Sequence, residues 1–298
     1  MKGYTIHTDL ACESEVTHDK AKSGTDYREK TVAGYKVATL VVENELGEKT
    51  TGKKRGTYVT VFTDLLCDID DRAFDDLIEL VAKELDALVV RTLGKRPACV
   101  LVAGLGNREI TADSIGPKAV DRLTVTRHIE QHDKQLFDRF CKVPLCAIAP
   151  GVLGQTGIET AEMIRGVCDR AKPDLVIAID ALAARATARL GATVQLSDSG
   201  ISPGSGIGNR RNAIHRDTLG IPVIAIGIPT VVNSATLVHD ALQSAGYTAV
   251  DDRIRTVLEA GESFFVSPRQ SDRISDRAGD LLAGAIDSIF LHGKEENP

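Results

Sequence analysis

The apolar runs of this chain end in residues that could do chemistry. ACVLVAG breaks into Gly104, Gly106 and Asn107, with Asp113 following in TADS. PLCAIAP leads to Gln155 and Thr156, and LVIAID closes on Asp180. TVQLSD closes on Asp198 and Ser199 before the loop SPGSGIGN, which carries Gly204 and Gly206, and IPVIAIGIPT closes on Pro229 and Thr230. Short runs rich in Val and Ile that stop at turn residues read as buried strands. If those strands are parallel, their carboxyl ends share one edge of a sheet, the edge where open sheets bind ligands.

Two carboxylates in one cleft suit hydrolysis without a nucleophilic side chain. Held close together they cannot both ionise, so they share a proton. One then acts as base toward water, and the other protonates the leaving group or polarises the carbonyl. Glycine-rich backbone beside them can donate N–H groups to a developing oxyanion. Asp113 and Asp180 are the candidate catalytic pair, because each follows a strand end, and Asn107, Asp198, Ser199, Gly204 and Gly206 are candidate supporting residues of the cleft. A plainer reading is open for two of these acids. Asp180 could cap a helix starting near Leu182, and Asp198 could bond the N–H groups of its own Ser199-Gly200 turn.

Other motifs do not hold together. Gly104-Leu105-Gly106 has Glu109 where a dinucleotide fingerprint needs its third glycine, and Gly204-Ser205-Gly206 has Asn209 there, so no nucleotide cofactor is expected. HIEQH, with His128 and His132, is not the zinc motif H-E-x-x-H and reads as a solvated helix end. No G-x-S-x-G elbow is present.

The elements that must position these residues follow from periodicity. From Ala98 onward strand, loop and helix alternate, which predicts an α/β fold with a mainly parallel sheet covered by helices on both faces. Helices are expected over 70–93, 117–132, 157–171, 234–245, 252–262 and 271–291. Residues 31–63 read as an antiparallel hairpin at a sheet edge, with its turn at Leu46 to Lys49. Residues 1–30 are polar and of mixed charge, the composition of a cleavable terminus.

The chain has 298 residues, 43% hydrophobic and 26% charged, with a net charge of −6. That balance fits an ordinary globular protein and argues against nucleic-acid binding through a general basic surface. Six cysteines without a C-x-x-C pair suit a reducing compartment. No signal peptide is apparent and no run approaches the ~18 apolar residues of a membrane span, so a cytoplasmic protein is expected.

HTDLA, VAGLGN, TADSIGPKAVDRL, APGVLGQTGIETAEMI, PDLVIAIDALAAR, SDSGISPGSGIGNRR and LGIPVIAIGIPTVV resemble the germination protease family of spore-forming bacteria. The resemblance runs almost continuously from Leu101 to Val238, with Ala112 in place of an expected proline. It implies an atypical aspartic endopeptidase that degrades small acid-soluble spore proteins at germination. The implied fold is similar to that of hydrogenase-maturation endopeptidases. By motif, the family's catalytic aspartates fall on Asp113 and Asp180. The resemblance further implies a zymogen that removes its own prosegment, here residues 1–9, by cutting Asp9–Leu10. Residues 10–298 would then be a single peptidase domain. It also implies a homotetramer in the forespore or spore core, without a cofactor. Two other readings remain. In one, Asp113 and Asp180 hold a divalent metal that activates water. In the other, the same cleft binds extended peptides without cutting them.

Overall fold

In the computed structural model the chain is organised around a nine-stranded sheet, with residues 8–14, 24–202, 212–247, 256 and 264–291 described. β1 (Thr25–Val32) and β2 (Tyr35–Val42) form a hairpin. Its two-residue loop has Ala33 and Gly34 both at positive φ, the geometry whose twist matches the flanking strands. α1 (Glu45–Thr51) leads to β3 (Gly56–Phe62), and α2 (Asp71–Leu93) leads to β4 (Val100–Gly104). Next come α3 (Ile115–Arg122), α4 (Arg127–His132), α5 (Lys134–Phe140) and β5 (Leu145–Ile148). α6 (Leu153–Thr156), α7 (Thr160–Ala171), β6 (Leu175–Ala184) and β7 (Thr193–Ser197) follow. α8 (Arg216–Leu219), β8 (Val223–Asn233), α9 (Ser234–Ser244), β9 (Phe265–Val266) and α10 (Ser271–Phe290) complete the order.

The strands lie in the order β1-β2-β3-β7-β8-β6-β4-β5, with β9 paired to β8. β5, β4, β6 and β8 are parallel. β1, β2 and β3 are antiparallel, and β7 runs antiparallel to both β3 and β8. The fold is α/β, with an antiparallel half larger than the expected hairpin.

Three sequence expectations are corrected. Residues 31–45, expected as one strand of the hairpin, hold the end of β1, the Ala33-Gly34 turn and all of β2, and β1, which starts at Thr25, is the outer strand. The turn expected at Leu46 to Lys49 is helix α1. Asn44 caps it by accepting from Leu46 N and Gly47 N, and Gly52 ends it at φ 68°. Seven residues are too few for a helical period to show. The helix expected over 117–132 divides into α3 and α4. Between them, fully buried Thr126 bonds to β5: its N donates to Leu145 O (2.8 Å), and its Oγ1 accepts from Leu145 N (2.9 Å). The helix expected over 252–262 lies outside the described residues except Thr256.

Two faces cover the sheet. On one, Phe74, Leu77, Val81 and Leu85 of α2 and Ala278, Leu281, Leu282 and Ile286 of α10 pack on Val102, Ile177, Ile179, Val194 and Ile226. Each such buried aliphatic side chain contributes roughly 1.5–3 kcal/mol relative to exposure. The other face of β4 and β6, with Leu101, Ala103, Val176 and Ala178, is covered by Ile164 and Cys168 of α7 and Leu219 of α8. Further along that second face, over β6, β7, β3 and β2, the N-terminal segment 8–14 takes the place of a helix.

Candidate active site

Asp180 lies within β6, not at its end. Residues 181–184 are extended and pair with β8, so no helix starts at Leu182 and the capping reading of Asp180 is excluded. The sequence hid this because ALAA carries no β-branched residue. Asp180 still stands at the ligand edge, one residue past the Gly104↔Ile179 pair where β4 stops. It is buried, and its Oδ1 accepts from Ala181 N at 2.9 Å.

β8 is irregular beside it. Leu182 pairs with Pro229 but Ala183 with Val231, so Thr230 is an extra residue in the ladder. Pro229 has no N–H to contribute at the bulge. Buried Thr230 turns its Oγ1 to the carbonyl of Ala112 at 2.6 Å, fixing the residue before Asp113. That short 3-10 turn, Thr111–Asp113, is held from a second side by Ser275 of α10, whose Oγ donates to Thr111 O at 2.8 Å. Asp113 Oδ2 accepts from Asn107 N at 2.8 Å.

Two glycine contacts bring this loop close to the sheet. A Cβ on Gly104 would lie 2.2 Å from Gly116 O, so α3 meets the end of β4 backbone to backbone. Gly106 has φ 109°, and a Cβ there would lie 2.1 Å from Asp113 O. The VAGLGN glycines therefore serve close approach of the Asp113 loop rather than a phosphate.

Asp113 and Asp180 line one cavity of about 310 Å³ together with Gly106, Thr230, Phe265 and Asp9. Asp9 belongs to the N-terminal segment, which runs into the site. Asp9 N donates to Ala183 O at 2.8 Å, and Asp9 Oδ2 accepts from Ala183 N at 2.9 Å. Leu10 is fully buried among Leu182, Ala184, Leu190 and Val232. Ala11 is buried against Leu40, Val42 and Tyr58. The Glu13 carboxylate accepts from Arg185 N (2.7 Å) and Ala186 N (2.9 Å).

A second cavity of about 420 Å³ shares Asp9 and Asp180 and extends to Lys53, Gln195, Ser199 and His215. Lys53 Nζ donates to Thr8 O at 2.7 Å. Burial pulls the Lys53 ammonium below its ordinary pKa, against the opposing charges of Asp9 and Glu13. The Tyr58 hydroxyl, pushed up to about 12 by burial, accepts from Ser199 Oγ at 2.8 Å.

The remaining candidates part company. Because β7 is antiparallel, its carboxyl end points away from the edge that carries Asp113 and Asp180. Asp198 there accepts from Thr57 N at 2.6 Å and secures the start of β3. Ser199 lines the larger cavity but not the one that Asp113 and Asp180 share. Asn107 Oδ1 accepts from Gln155 Nε2 (2.8 Å) and from Glu109 N (3.0 Å), while its backbone N–H serves Asp113. Gly204 and Gly206 lie outside the described residues. His128 and His132 are exposed, and among the described residues no group of three His, Cys, Asp or Glu is arranged to hold a metal. No helix among them is long and apolar enough to cross a membrane. Gln195, Lys53 and the Ala183 backbone are contacts that the sequence reading missed. The one available signal was a glutamine inside the apolar run TVQLS.

The profile of the germination protease family matches residues 6–247. The germination protease of Clostridium acetobutylicum is 38% identical over 287 residues, covering 93% of this chain and 88% of that protein. That of Caldanaerobacter subterraneus subsp. tengcongensis is 46% identical over 241 residues, covering 80% and 72%. Among solved structures, a NiFe hydrogenase maturation protease, HycI, from Thermococcus kodakarensis KOD1 aligns over 66% of this chain and 98% of its own. Its TM-score is 0.33 and its identity 15%. Most of the chain, including the residues around Asp9, Asp113 and Asp180, is thus matched by a single peptidase family, and the chain belongs to the germination protease family.

Proposed function

We propose that this peptidase is an endopeptidase acting on small acid-soluble spore proteins in the spore core, and that it becomes active by cutting its own Asp9–Leu10 bond. Asp113 and Asp180 are the catalytic pair. One carboxylate takes a proton from water, which adds to the carbonyl carbon, and the other presents a proton to the departing amine. The reading rests on one observation: Asp113, Asp180 and Asp9 line the same cavity. Further support comes from residues 8–14, in which each of Asp9, Leu10, Ala11 and Glu13 is held against the cleft by a separate set of contacts. The substrate class and an assembly of four subunits come with the family resemblance.

The test incubates the protein with a small acid-soluble spore protein and follows both by mass spectrometry. It is run with and without chelator, beside Asp113→Asn and Asp180→Asn variants shown to be folded by circular dichroism. A new N-terminus at Leu10 and discrete substrate fragments, unaffected by chelator and absent in both variants, are expected. Fragments lost on chelation and restored by a divalent cation would transfer the chemistry to a bound metal. Intact substrate beside folded wild-type protein would overturn the reading.

A further inference from the structure

One side chain grips the Asp9–Leu10 peptide bond from both flanks. Gln195 Nε2 donates to Asp9 O at 3.0 Å, and Gln195 Oε1 accepts from Ala11 N at 2.6 Å. Asp9 O is the carbonyl of the bond that the proposed processing breaks. A carbonyl only accepts and a backbone N–H only donates, so a single orientation of the amide satisfies both contacts. The reversed amide would set oxygen against oxygen and nitrogen against nitrogen. Gln195 is buried, 8% exposed, in the middle of β7.

Its place in the sheet is as specific as its bonding. Gln195 stands opposite Gly227 of β8, and Gly227 stands opposite Asp180 of β6. Laterally paired residues project to the same face, so Gln195 and Asp180 both point into the cleft, about 10 Å apart over two strand spacings. Gly227, between them, contributes no side chain. Its place is filled by Leu182, whose Cγ would lie 2.5 Å from a Cβ on Gly227, and Leu182 in turn packs on Leu10. The segment is thus seated on Leu182 with an amide donor on one side and a carboxylate on the other.

We propose that Gln195 is a catalytic residue, the donor that polarises the scissile carbonyl and stabilises the oxyanion formed from it. This rests on the reading of Asp9–Leu10 as the bond that is cut. Water activated at the Asp113–Asp180 pair forms a C–O bond to Asp9 C, its proton passes to a carboxylate, and the carbonyl π electrons move onto Asp9 O. The Nε2–H···O bond becomes charge-assisted at that moment, so it is stronger in the transition state than in the resting segment. Collapse breaks the C–N bond, and Leu10 N leaves with a proton from the pair. The Oε1 contact to Ala11 N prevents the amide from rotating away. Lys53 holds the carbonyl one residue upstream, Thr8 O.

The test uses the full chain and follows the first-order appearance of the Leu10 N-terminus by intact mass in wild type, Gln195→Glu and Gln195→Met. Hydrogen exchange at the Leu10 to Ser14 amides is measured on the same samples. Glu retains an acceptor for Ala11 N but replaces the donor with a charged oxygen facing Asp9 O, and the protection measurement reports how far the segment is loosened. Met is close in shape and removes both. The expected result is a rate about 10²–10³-fold lower in both variants, a loss greater than any loss of segment protection accounts for. Cleavage within about threefold of wild type in either variant overturns the proposal, as does slowing of Gln195→Glu that merely matches lost protection, since the side chain would then only grip. Wild-type protein that never yields a Leu10 N-terminus overturns the processing reading itself and this inference with it.

Discussion

Asp9 and Ala183 exchange two hydrogen bonds across the edge that β6 exposes beyond the end of β4. One is an ordinary main-chain pair. In the other, the Asp9 carboxylate stands where the main-chain acceptor of an added strand would be. The acid before Leu10 therefore sets the register of the whole segment. Asp9→Ala removes a charge-assisted bond of roughly 1.5–3 kcal/mol, and the opened fraction of segment 8–14 should rise by at least about tenfold. Hydrogen exchange of Leu10 to Ser14 reads this directly, with the core amides of β4 and β6 unchanged because the opening is local.

Leu10 supplies the apolar anchor of the same segment. Its pocket is formed by Leu182, Ala184, Leu190 and Val232. Leu10→Ala should cost about 2–3 kcal/mol of docking free energy, enough to make the segment susceptible to added protease while the remainder resists it. A variant with wild-type resistance at this site would show that the polar contacts alone hold the segment.

Gly106→Ala tests the support of Asp113 without touching a carboxylate. At φ 109°, with a Cβ 2.1 Å from Asp113 O, alanine forces the two loops apart. Stability should fall by about 1–3 kcal/mol, and Asp9–Leu10 cleavage should fall by considerably more than that stability loss accounts for. Urea unfolding beside the cleavage rate separates the two effects.

The pH dependence of a neighbouring ion pair has a definite sign. Burial raises the Asp240 carboxyl, but the hydrogen bonds and charge of Arg185, with a lesser contribution from His239, outweigh it and hold the group below its ordinary value. A depressed carboxylate stabilises the fold above its unfolded pKa, and the contribution is lost as pH falls through the folded one. Both partners are about a third exposed, so Arg185→Ala should cost at most about 1 kcal/mol near pH 7. The difference in denaturant midpoint between variant and wild type should begin to shrink below about pH 4 and disappear only as pH falls through the depressed pKa of folded Asp240.

The fold was legible where a period is long enough to be read. α2 and α10 carry apolar residues every three or four positions, and the Val- and Ile-rich strands β4, β6 and β8 stand out from their surroundings. The direction of β7 could not be read, because it is set by pairing with β3 and β8 and leaves no mark in TVQLS itself. That is why Asp198 was placed at the wrong end of the sheet. Segment 8–14 looked cleavable by composition, yet it is fixed by the buried side chains of Leu10 and Ala11 and by backbone partners far away in sequence, neither of which a local reading detects. Asp113 and Asp180 stood out as acids following apolar runs, although Asp180 lies inside β6 rather than at its end. Gln195 did not, since a buried amide in a strand is visible only once the atoms at its two ends are known.

The lateral row Asp180, Gly227, Gln195 also limits how this site can change. Ladder neighbours are separated by a fixed interval of about 4.8 Å, so the span between acid and amide cannot be stretched or shortened by small adjustments. It moves in whole strand steps, or else one side chain is replaced by a longer or shorter one. Tolerance in this cleft therefore belongs to residue type, with Gln195 and Leu182 as the adjustable parts, while its dimensions are inherited from the sheet and cannot be tuned.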